Sequence, residues 1–281
     1  MAGPLDGRVI FMSGGSRGIG LAIATRAARD GARVTLMAKT AEPHPKLPGT
    51  VYTAAHEIQT AGGDALPIVG DIRDADAVDS AVAQTVERFG GIDIVVNNAS
   101  AINLSPMRDL EVKRFDLMQT INARGTFVVT RACLPHLRDS EHAHVLTLSP
   151  PLSADPRWLQ GHSANTLSKM GMTMITLGLA ADEREAGIGA NCLWPRTIIA
   201  TAAVKNLLGG DEAMARARTP EIMGDAAHAI LVRDPRECTG NAFIDDEVLA
   251  AAGTRDLTGY AAEGADLTLD IFVDGWPEGQ R

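Results

Sequence analysis

The 281-residue sequence has few aromatic residues and lacks a long uninterrupted apolar run. Aromatic residues make up 4% of the chain, so its 45% hydrophobic content must form a mainly aliphatic core. No stretch reaches the roughly 18 consecutive apolar residues of a membrane span, and the first residues do not follow the pattern of a secretion signal. We therefore expect a cytoplasmic protein without a membrane span.

Cations and cysteines are also scarce. The chain has 26 Lys and Arg residues against 35 Asp and Glu residues, a formal net charge of -9 without a local cationic cluster. Such a surface repels phosphate backbones and anionic membranes, so nucleic acid is excluded as a partner. Cys133, Cys192 and Cys238 lie far apart without metal-ligand spacing, which predicts buried free thiols and no metal site. A small molecule is the expected partner.

Short apolar runs alternate with longer alanine-rich helical patterns along the chain. Because the runs are apolar at nearly every position, they predict strands buried on both faces of a parallel sheet with helical crossovers. The predicted strands are residues 8–13, 32–38, 65–70, 92–98, 143–149, 188–194 and 241–246. The predicted helices are residues 18–30, 74–89, 111–138 and 162–186, with one more beginning near Tyr52 after an irregular proline-rich loop at 40–50.

The glycine-rich segment SGGSRGIG, residues 13–20, follows the first predicted strand and leads into a helix. Gly14, Gly18 and Gly20 allow a tight turn and let backbone amides approach a pyrophosphate at the helix N-terminus. A purely structural turn is the alternative, but the surrounding strand and helix favour dinucleotide binding. We therefore predict a three-layer α/β Rossmann fold, a doubly wound parallel sheet of about seven strands, as one domain over residues 1–281.

The end of the second predicted strand indicates which dinucleotide is bound. An acidic residue there binds the ribose diol of NAD, whereas a basic residue accepts the 2'-phosphate of NADP. Lys39 holds this position, Glu42 is the first acid after it, and Arg17 in the glycine segment adds a second cation. Each cation alone has a simpler explanation as a solvated surface charge, yet together they favour NADP(H) over NAD(H).

Further motifs resemble the short-chain dehydrogenase/reductase family through the seventh predicted strand. Besides the glycine segment, these are GDIRD with Asp71, NNAS at residues 97–100, and Asn122 within INARGTF. The segments AKTAEPHPKLPGT, LSPP and WPRT are similar to the hydroxysteroid dehydrogenase-like branch, whose longer members carry a sterol-carrier domain that this sequence lacks. The resemblance implies hydride transfer between a nicotinamide cofactor and a carbonyl or alcohol, and homodimers or homotetramers formed through the long helices.

The glycine segment and the resemblance together define the predicted cofactor site. The resemblance places Asp71 against the adenine and Lys169 on the nicotinamide ribose. The predicted cofactor-binding residues are Ser13, Gly14, Ser16, Arg17, Gly18, Ile19, Gly20, Lys39, Asp71, Ile72, Asn98, Ala99, Lys169, Pro195 and Ile198.

Tyrosine is missing where the resemblance requires it. In the family a tyrosine of a YxxxK pattern handles the proton and the lysine lowers its pKa, while an asparagine anchors a water relay. Lys169 and Asn122 match this pattern, but Asn165 stands at the tyrosine position. Tyrosine occurs elsewhere only as Tyr52 and Tyr260, which are far away in the sequence. Asn165 is thus predicted to be a catalytic-site residue that cannot act as an acid or base.

The serine that orients the substrate oxygen in the family is also displaced. Pro150 stands at the family position, and Ser149 or Ser153 are the nearby hydroxyl groups. With Ser149 chosen, the predicted catalytic residues are Ser149, Asn122, Asn165 and Lys169.

Loss of the acid leaves three possible proton donors. These are Lys169 with a pKa lowered by burial, His162 on the same helical face, and a water molecule held by Asn165 and Asn122. General acid-base catalysis contributes about 10²- to 10⁴-fold, whereas positioning supplies more, so turnover does not require the tyrosine. Two functions stay open: an oxidoreductase with impaired or unconventional catalysis, or a cofactor-binding sensor or oligomer partner without turnover.

Apolar residues follow the fifth and sixth strands, where a substrate cleft is expected. A lid is predicted at about residues 196–225, and Arg196 adds a cation near the cleft mouth. A hydrophobic carbonyl or alcohol substrate is therefore expected, while the last residues of the mixed segment from about Glu247 to Arg281 are expected to be a tail or an oligomer contact. The predicted wall residues are Leu152, Trp158, Leu159, Trp194 and Ile198, of which the two tryptophans have an alternative as core or subunit contacts.

Overall fold

The computed structural model describes residues 3–45, 47–207 and 209–277. In this part of the chain seven parallel strands form one sheet in the order β3-β2-β1-β4-β5-β6-β7. The strands are β1 (Val9–Ser13), β2 (Arg33–Ala38), β3 (Asp64–Val69), β4 (Ile94–Asn97), β5 (His144–Thr147), β6 (Gly189–Trp194) and β7 (Ala242–Ile244). Their order reverses between β1 and β4, and the predicted doubly wound Rossmann fold is confirmed.

Helices cover both faces of this sheet. They are α1 (Gly18–Ala28), α2 (Val51–Thr60), α3 (Ala75–Phe89), α4 (Val112–Ile121), α5 (Ala123–Arg138), α6 (Ser163–Asp182), α7 (Ala202–Leu207), α8 (Gly210–Ala215), α9 (Glu221–Leu231) and α10 (Asp245–Ala251). Every residue of β1, β4 and β5 is buried, as the continuous apolar runs predict. One core lies between the sheet and α1, α2, α9 and α10, and a second lies under α3 and α5 on the other face. Within the described residues no helix is long and apolar enough to cross a bilayer.

The predicted helix at 111–138 is wrong in one respect, because it is two helices. Asn122 lies between α4 and α5 with ψ -77°, and its amide donates to the Met118 carbonyl oxygen as α4 ends. The side chain of Asn122 then bonds across to Ala101, so this break holds the loop after β4 in place. Periodicity could not reveal the break, since apolar spacing continues through it.

The C-terminal segment is not a tail over the residues described. Helix α10 follows β7 directly, and Leu269 forms an antiparallel bridge with Thr197 in the chain after β6. Phe272 and Val273 are buried. Up to residue 277 the segment therefore packs back onto the body through its apolar residues. Residues 278–281 lie outside the described part, so the expectation of a tail or an oligomer contact for the last residues stays a prediction.

Candidate active site

Two cavities meet at the edge of the sheet where the strands end. The larger, about 660 Å³, extends under α7 and α8 to the C-terminal segment, and the smaller, about 310 Å³, lies beside the glycine segment. Asn98 and Ser100, at the end of β4, line both cavities. This is the crevice outside the strand ends where open α/β sheets bind ligands. A long ligand can therefore lie across both cavities.

Most predicted cofactor residues line one of these cavities. The smaller cavity is lined by Gly14, Ser16, Arg17, Lys39, Asp71, Ile72, Asn98 and Ala99. The larger cavity is lined by Ile19, Asn98, Lys169, Pro195 and Ile198, and by Asn165. Ser13, Gly18 and Gly20 are not among the described lining residues of either cavity. Ser13 Oγ instead accepts hydrogen bonds from the Asn98 and Ala99 amides at 3.2 and 3.3 Å, which ties the end of β4 to β1.

The glycine segment has a backbone conformation that lets its amides come close to a bound pyrophosphate. Gly14, Gly15 and Gly18 have φ of 80°, 89° and 58°, in the left-handed region that favours glycine. A Cβ atom at Gly20 would lie 2.5 Å from Asn98 Nδ2 and 2.7 Å from the Gly15 Cα. A side chain at Gly20 would therefore force the glycine segment or the end of β4 to shift. Gly15 also lines the smaller cavity. The sequence prediction missed it, although it is a glycine within the same segment.

Charges at the smaller cavity are partly paired. Lys39 Nζ lies 3.2 Å from Asp71 Oδ2 and its side chain is 60% exposed. Asp71 is also bonded by the Arg73 guanidinium, which holds the pKa of that carboxyl well below its usual range. Arg17 donates to the Pro48 and Gly49 carbonyl oxygens at 2.7 and 3.0 Å, so it braces the 40–50 loop against the glycine segment. The described residues that line this cavity include two cations and one carboxylate. Their net positive charge attracts an anionic ligand to the smaller cavity.

Helix α6 carries the two central residues of the larger cavity. Lys169 is 8% exposed, its Nζ donates to the Leu148 carbonyl oxygen at 3.0 Å, and the Nζ lies 5.2 Å from the Trp194 ring centroid. Burial lowers the pKa of Lys169 to about 8, and the nearby Asp270 opposes that shift. Asn165, one helical turn earlier, is 1% exposed, and its Oδ1 receives no hydrogen bond from the described residues. A buried acceptor without a partner costs free energy unless a ligand or water donates to it.

Asn122 and Ser149 do not face this cavity. Asn122 Oδ1 accepts from the Ala101 amide, while Nδ2 donates to the Ala101 carbonyl oxygen and to Ser168 Oγ at 2.9 and 2.8 Å. Ser149 is fully buried and its Oγ accepts from Thr173 Oγ1 at 2.9 Å. The Ser149 hydroxyl, predicted to orient a substrate, is thus bonded to α6, and Ser149 is not among the described residues that line the cavity. The side chain of Asn122 therefore ties α6 to the loop after β4 through Ser168 and Ala101.

Arg196 is not the free cation that the sequence predicts near the cleft mouth. Its side chain is 7% exposed, and its Nε lies 3.0 Å from Asp246 Oδ2, with Glu247 as a second carboxylate partner. Its Nη1 donates to the Gly275 carbonyl oxygen at 2.7 Å. A guanidinium surrounded by these acceptors joins α10 and the C-terminal segment to the end of β6 and is not free for a substrate.

The walls of the larger cavity are mostly apolar and come partly from unexpected places. Trp194 and Ile198 line it as predicted, whereas Leu152, Trp158 and Leu159 are not among the described lining residues. Trp158 packs instead against Phe272, with ring centroids 5.9 Å apart. Helices α7 and α8 contribute Val204 and Ala213, and the C-terminal segment contributes Leu269, Asp270 and Ile271.

Asp270 is an ionisable lining residue that the sequence prediction missed. The only local signal is an acid between Leu269 and the apolar residues Ile271 and Phe272. His162, one of the predicted proton donors, is not among the described lining residues, and its Nδ1 lies 3.1 Å from Thr166 Oγ1.

Comparison with known proteins places this arrangement in a family. Residues 8–210 match the short chain dehydrogenase family, and the chain belongs to it. Hydroxysteroid dehydrogenase-like protein 2 of Danio rerio is 52% identical over 277 residues, which are 98% of this chain and 66% of that protein. The chain thus spans slightly less than two thirds of that relative's length, and the predicted resemblance to its branch is confirmed.

Two solved structures show the same fold. A short chain dehydrogenase from Mycobacterium thermoresistibile is 56% identical with a TM-score of 0.93, over 98% of this chain and 99% of that one. A blue fluorescent protein from a metagenomic library, solved in complex with NADPH, is 26% identical with a TM-score of 0.74, over 86% of this chain and 97% of that one. The family's fold is therefore shown over nearly the whole chain.

Proposed function

We propose that this protein is an NADP(H)-dependent oxidoreductase that transfers hydride between the nicotinamide and a hydrophobic carbonyl or alcohol compound. One observation carries the proposal: the cavity that holds Lys169 and Asn165 joins the glycine-lined cavity through Asn98 and Ser100. A dinucleotide has the matching division into a pyrophosphate, which binds at the glycine segment, and a reactive ring at a distance from it. NADPH bound by the blue fluorescent protein supports the same cofactor here.

The residues present fit this cofactor. The glycine segment at the start of α1 would hold the pyrophosphate, with Asp71 and Ile72 beside the adenine and Lys169 on the nicotinamide ribose. When bound, the cofactor supplies or accepts the hydride. Burial of Lys169 and the apolar walls keep water away from the reacting carbon, while the unpartnered Asn165 Oδ1 accepts a hydrogen bond from a hydroxyl group or water.

NADP(H) preference depends on Lys39 in this proposal. We expect Lys39→Ala to weaken NADPH binding about five- to tenfold while changing NADH binding little, because an exposed charge-assisted contact to the 2'-phosphate contributes about 1 kcal/mol. Fluorescence titration with both dinucleotides measures the change. Lys113→Ala, at an exposed residue paired with Glu111, serves as the control. Equal weakening of NADPH and NADH would contradict the assignment.

The substrate is proposed to be hydrophobic because the larger cavity is lined mainly by apolar side chains. Residues of about 196–225, including α7 and α8, would act as the lid over it. The relatives' name adds a hydroxysteroid to the compounds worth testing. The decisive assay follows absorbance at 340 nm with NADPH and decanal, cyclohexanone, benzaldehyde or a ketosteroid, and NADP⁺ with the matching alcohols.

Asn165 favours a second function, a cofactor-binding sensor or oligomer partner without turnover. Its side-chain amide cannot act as an acid or a base near neutral pH. The two functions differ in one measurement. Tight NADPH binding without absorbance change for any of these compounds would support the second, whereas substrate-dependent oxidation of NADPH would support the first.

We also propose a homodimer or homotetramer formed through α4, α5 and α6. Val112, Phe127, Leu167 and Met174 on these helices are 73%, 52%, 58% and 61% exposed, a set of large apolar side chains that association would bury. Leu167→Glu is expected to dissociate the oligomer, measured by analytical ultracentrifugation, with Leu207→Glu on α7 as an exposed control. A monomeric starting protein would refute this proposal.

The three buried free cysteines fit a reducing compartment, which supports a cytoplasmic location.

A further inference from the structure

Asp270 reaches the larger cavity from the C-terminal segment, and the proposed reaction does not yet use it. Asp270 lines the cavity together with Asn165 and Lys169. Asp270 and Lys169 lie close enough for each charge to shift the other's pKa. A carboxyl group thus stands in the cavity where the reaction lacks the proton donor that the family takes from tyrosine.

Backbone contacts on both sides fix the position of Asp270. Its amide donates to the Arg196 carbonyl oxygen at 2.9 Å, and Trp194 Nε1 donates to the Ile271 carbonyl oxygen at 2.8 Å. Phe272 follows with φ 71°, a left-handed conformation that a non-glycine residue keeps only when its surroundings hold it. One such contact is the Trp194 ring, with centroids 5.8 Å apart. Asp270 is therefore preorganised at the cavity wall.

The other ionisable groups around the cavity suit proton donation less well. Among the described lining residues these are Lys169, Glu212 and Arg216. The guanidinium of Arg216 pairs with Asp266 and cannot release a proton. Glu212 is exposed on α8. Lys169 Nζ donates a hydrogen bond to the Leu148 carbonyl oxygen. In the family this lysine binds the ribose of the cofactor.

We propose that the Asp270 carboxyl group is the proton donor for a carbonyl substrate, and the proton acceptor for an alcohol, in this active site. The inference rests on the oxidoreductase function proposed above. In reduction, the carbonyl carbon accepts the hydride while the carbonyl oxygen takes the proton from Asp270. The products are the alcohol, the Asp270 carboxylate and oxidised nicotinamide, and the carboxylate regains its proton from water. Oxidation of an alcohol runs through the same steps in reverse.

The surroundings of Asp270 suit proton transfer near neutral pH. Burial raises the pKa of Asp270 to about 7; Asp245 on α10 adds to this, while a backbone amide and Lys169 on α6 oppose it. Among the described lining residues, Glu212 and Arg216 carry the remaining charges. A donor whose pKa lies near the working pH transfers its proton most effectively. Reduction needs the protonated carboxyl group, so its rate should fall as pH rises through that pKa.

A double-mutant cycle tests this role. Asp270→Asn keeps the shape and removes the proton, so we expect NADPH-dependent reduction to fall about tenfold or more. The same change made together with Asn165→Tyr should cost less than about threefold, because the phenol then supplies the proton. Asp270→Glu should recover part of the activity. Asp274→Asn, in the same segment but exposed and paired with Arg157, is the matched control.

Thermal unfolding of the protein without cofactor gives an independent readout. Because the folded pKa of Asp270 is raised, its carboxyl stabilises the fold below its ordinary pKa, and this contribution is lost as pH rises to about 7. Asp270→Asn should therefore gain melting temperature relative to the wild type between about pH 5 and about pH 8. Asp274→Asn should show no such pH-dependent gain. An unchanged difference for Asp270→Asn across this range would overturn the proposal.

The outcomes separate this inference from the function on which it rests. Failure of the wild type to bind NADPH in a fluorescence titration would refute both the oxidoreductase function and the role of Asp270. NADPH binding with turnover that Asp270→Asn leaves within about twofold would overturn the role of Asp270 and keep the function. NADPH binding with no turnover by the wild type, but turnover by Asn165→Tyr, would also overturn it, since Asp270 would then donate nothing.

Discussion

Replacing Asn165 with tyrosine is expected to raise NADPH-dependent carbonyl reduction about 10²-fold, the lower end of the range for general acid-base catalysis. Asn165 lines the larger cavity one helical turn before Lys169, so a phenol there would face the same ligand. The lysine charge would lower the pKa of that phenol and ready it to exchange a proton. A gain of 10²-fold corresponds to about 2.7 kcal/mol of barrier.

The comparison with Asn165→Phe isolates the hydroxyl group, since both substitutions add a ring to a position that is 1% exposed. The phenylalanine variant should show no gain, and both should bind NADPH within about threefold of the wild type. Initial rates at 340 nm and fluorescence titration measure the two quantities. A tyrosine variant that binds NADPH but reduces none of the tested carbonyls would argue that the protein's role is not this redox reaction.

The second large effect is expected at the glycine segment. Gly20→Ala should weaken NADPH binding about ten- to hundredfold, because a Cβ there would lie 2.7 Å from the Gly15 Cα and 2.5 Å from Asn98 Nδ2. Both contacts are too short, so the segment or the end of β4 must shift away from the pyrophosphate. Overpacking of this kind costs about 1–3 kcal/mol, which is the size of the expected loss.

Gly178→Ala provides the matched control for this change. Gly178 is also helical, within α6, but a Cβ at that position meets no atom within 4 Å. Both substitutions improve helix propensity by about 1 kcal/mol, so only the close approach differs. Gly178→Ala should keep NADPH affinity and raise the melting temperature. Equal NADPH affinity for the two variants would contradict the assignment of the glycine segment to the cofactor.

Local patterns predicted the framework closely. Each strand lies inside its predicted range, except that β3 begins one residue earlier, and β4, β5 and β7 are each three residues shorter than predicted. This accuracy has a physical reason: strands buried on both faces must be apolar throughout, and glycine must stand where φ is positive or a neighbour is too close. Both requirements act within a few residues. The family motifs added Asn98 and Lys169, which do line the two cavities.

Side-chain direction was harder to predict than position. Ser149 lies at the end of β5 as expected, yet its hydroxyl packs against Thr173 instead of the cavity. Arg196 follows β6 as expected, yet two carboxylates of α10 surround it. Each outcome depends on partners that are distant in sequence and whose contacts no local spacing encodes.

The sequence by itself determined the sheet, its crossovers, the glycine turn and the presence of an amide at position 165, because each follows from residue type and short-range spacing. Only the tertiary structure decided what surrounds that amide. The segment after α10 crosses back over the end of β6 and brings Asp270 into the cavity with Lys169, from opposite ends of the C-terminal half. Burial, which raises the pKa of Asp270 and lowers that of Lys169, exists only once these distant residues pack together.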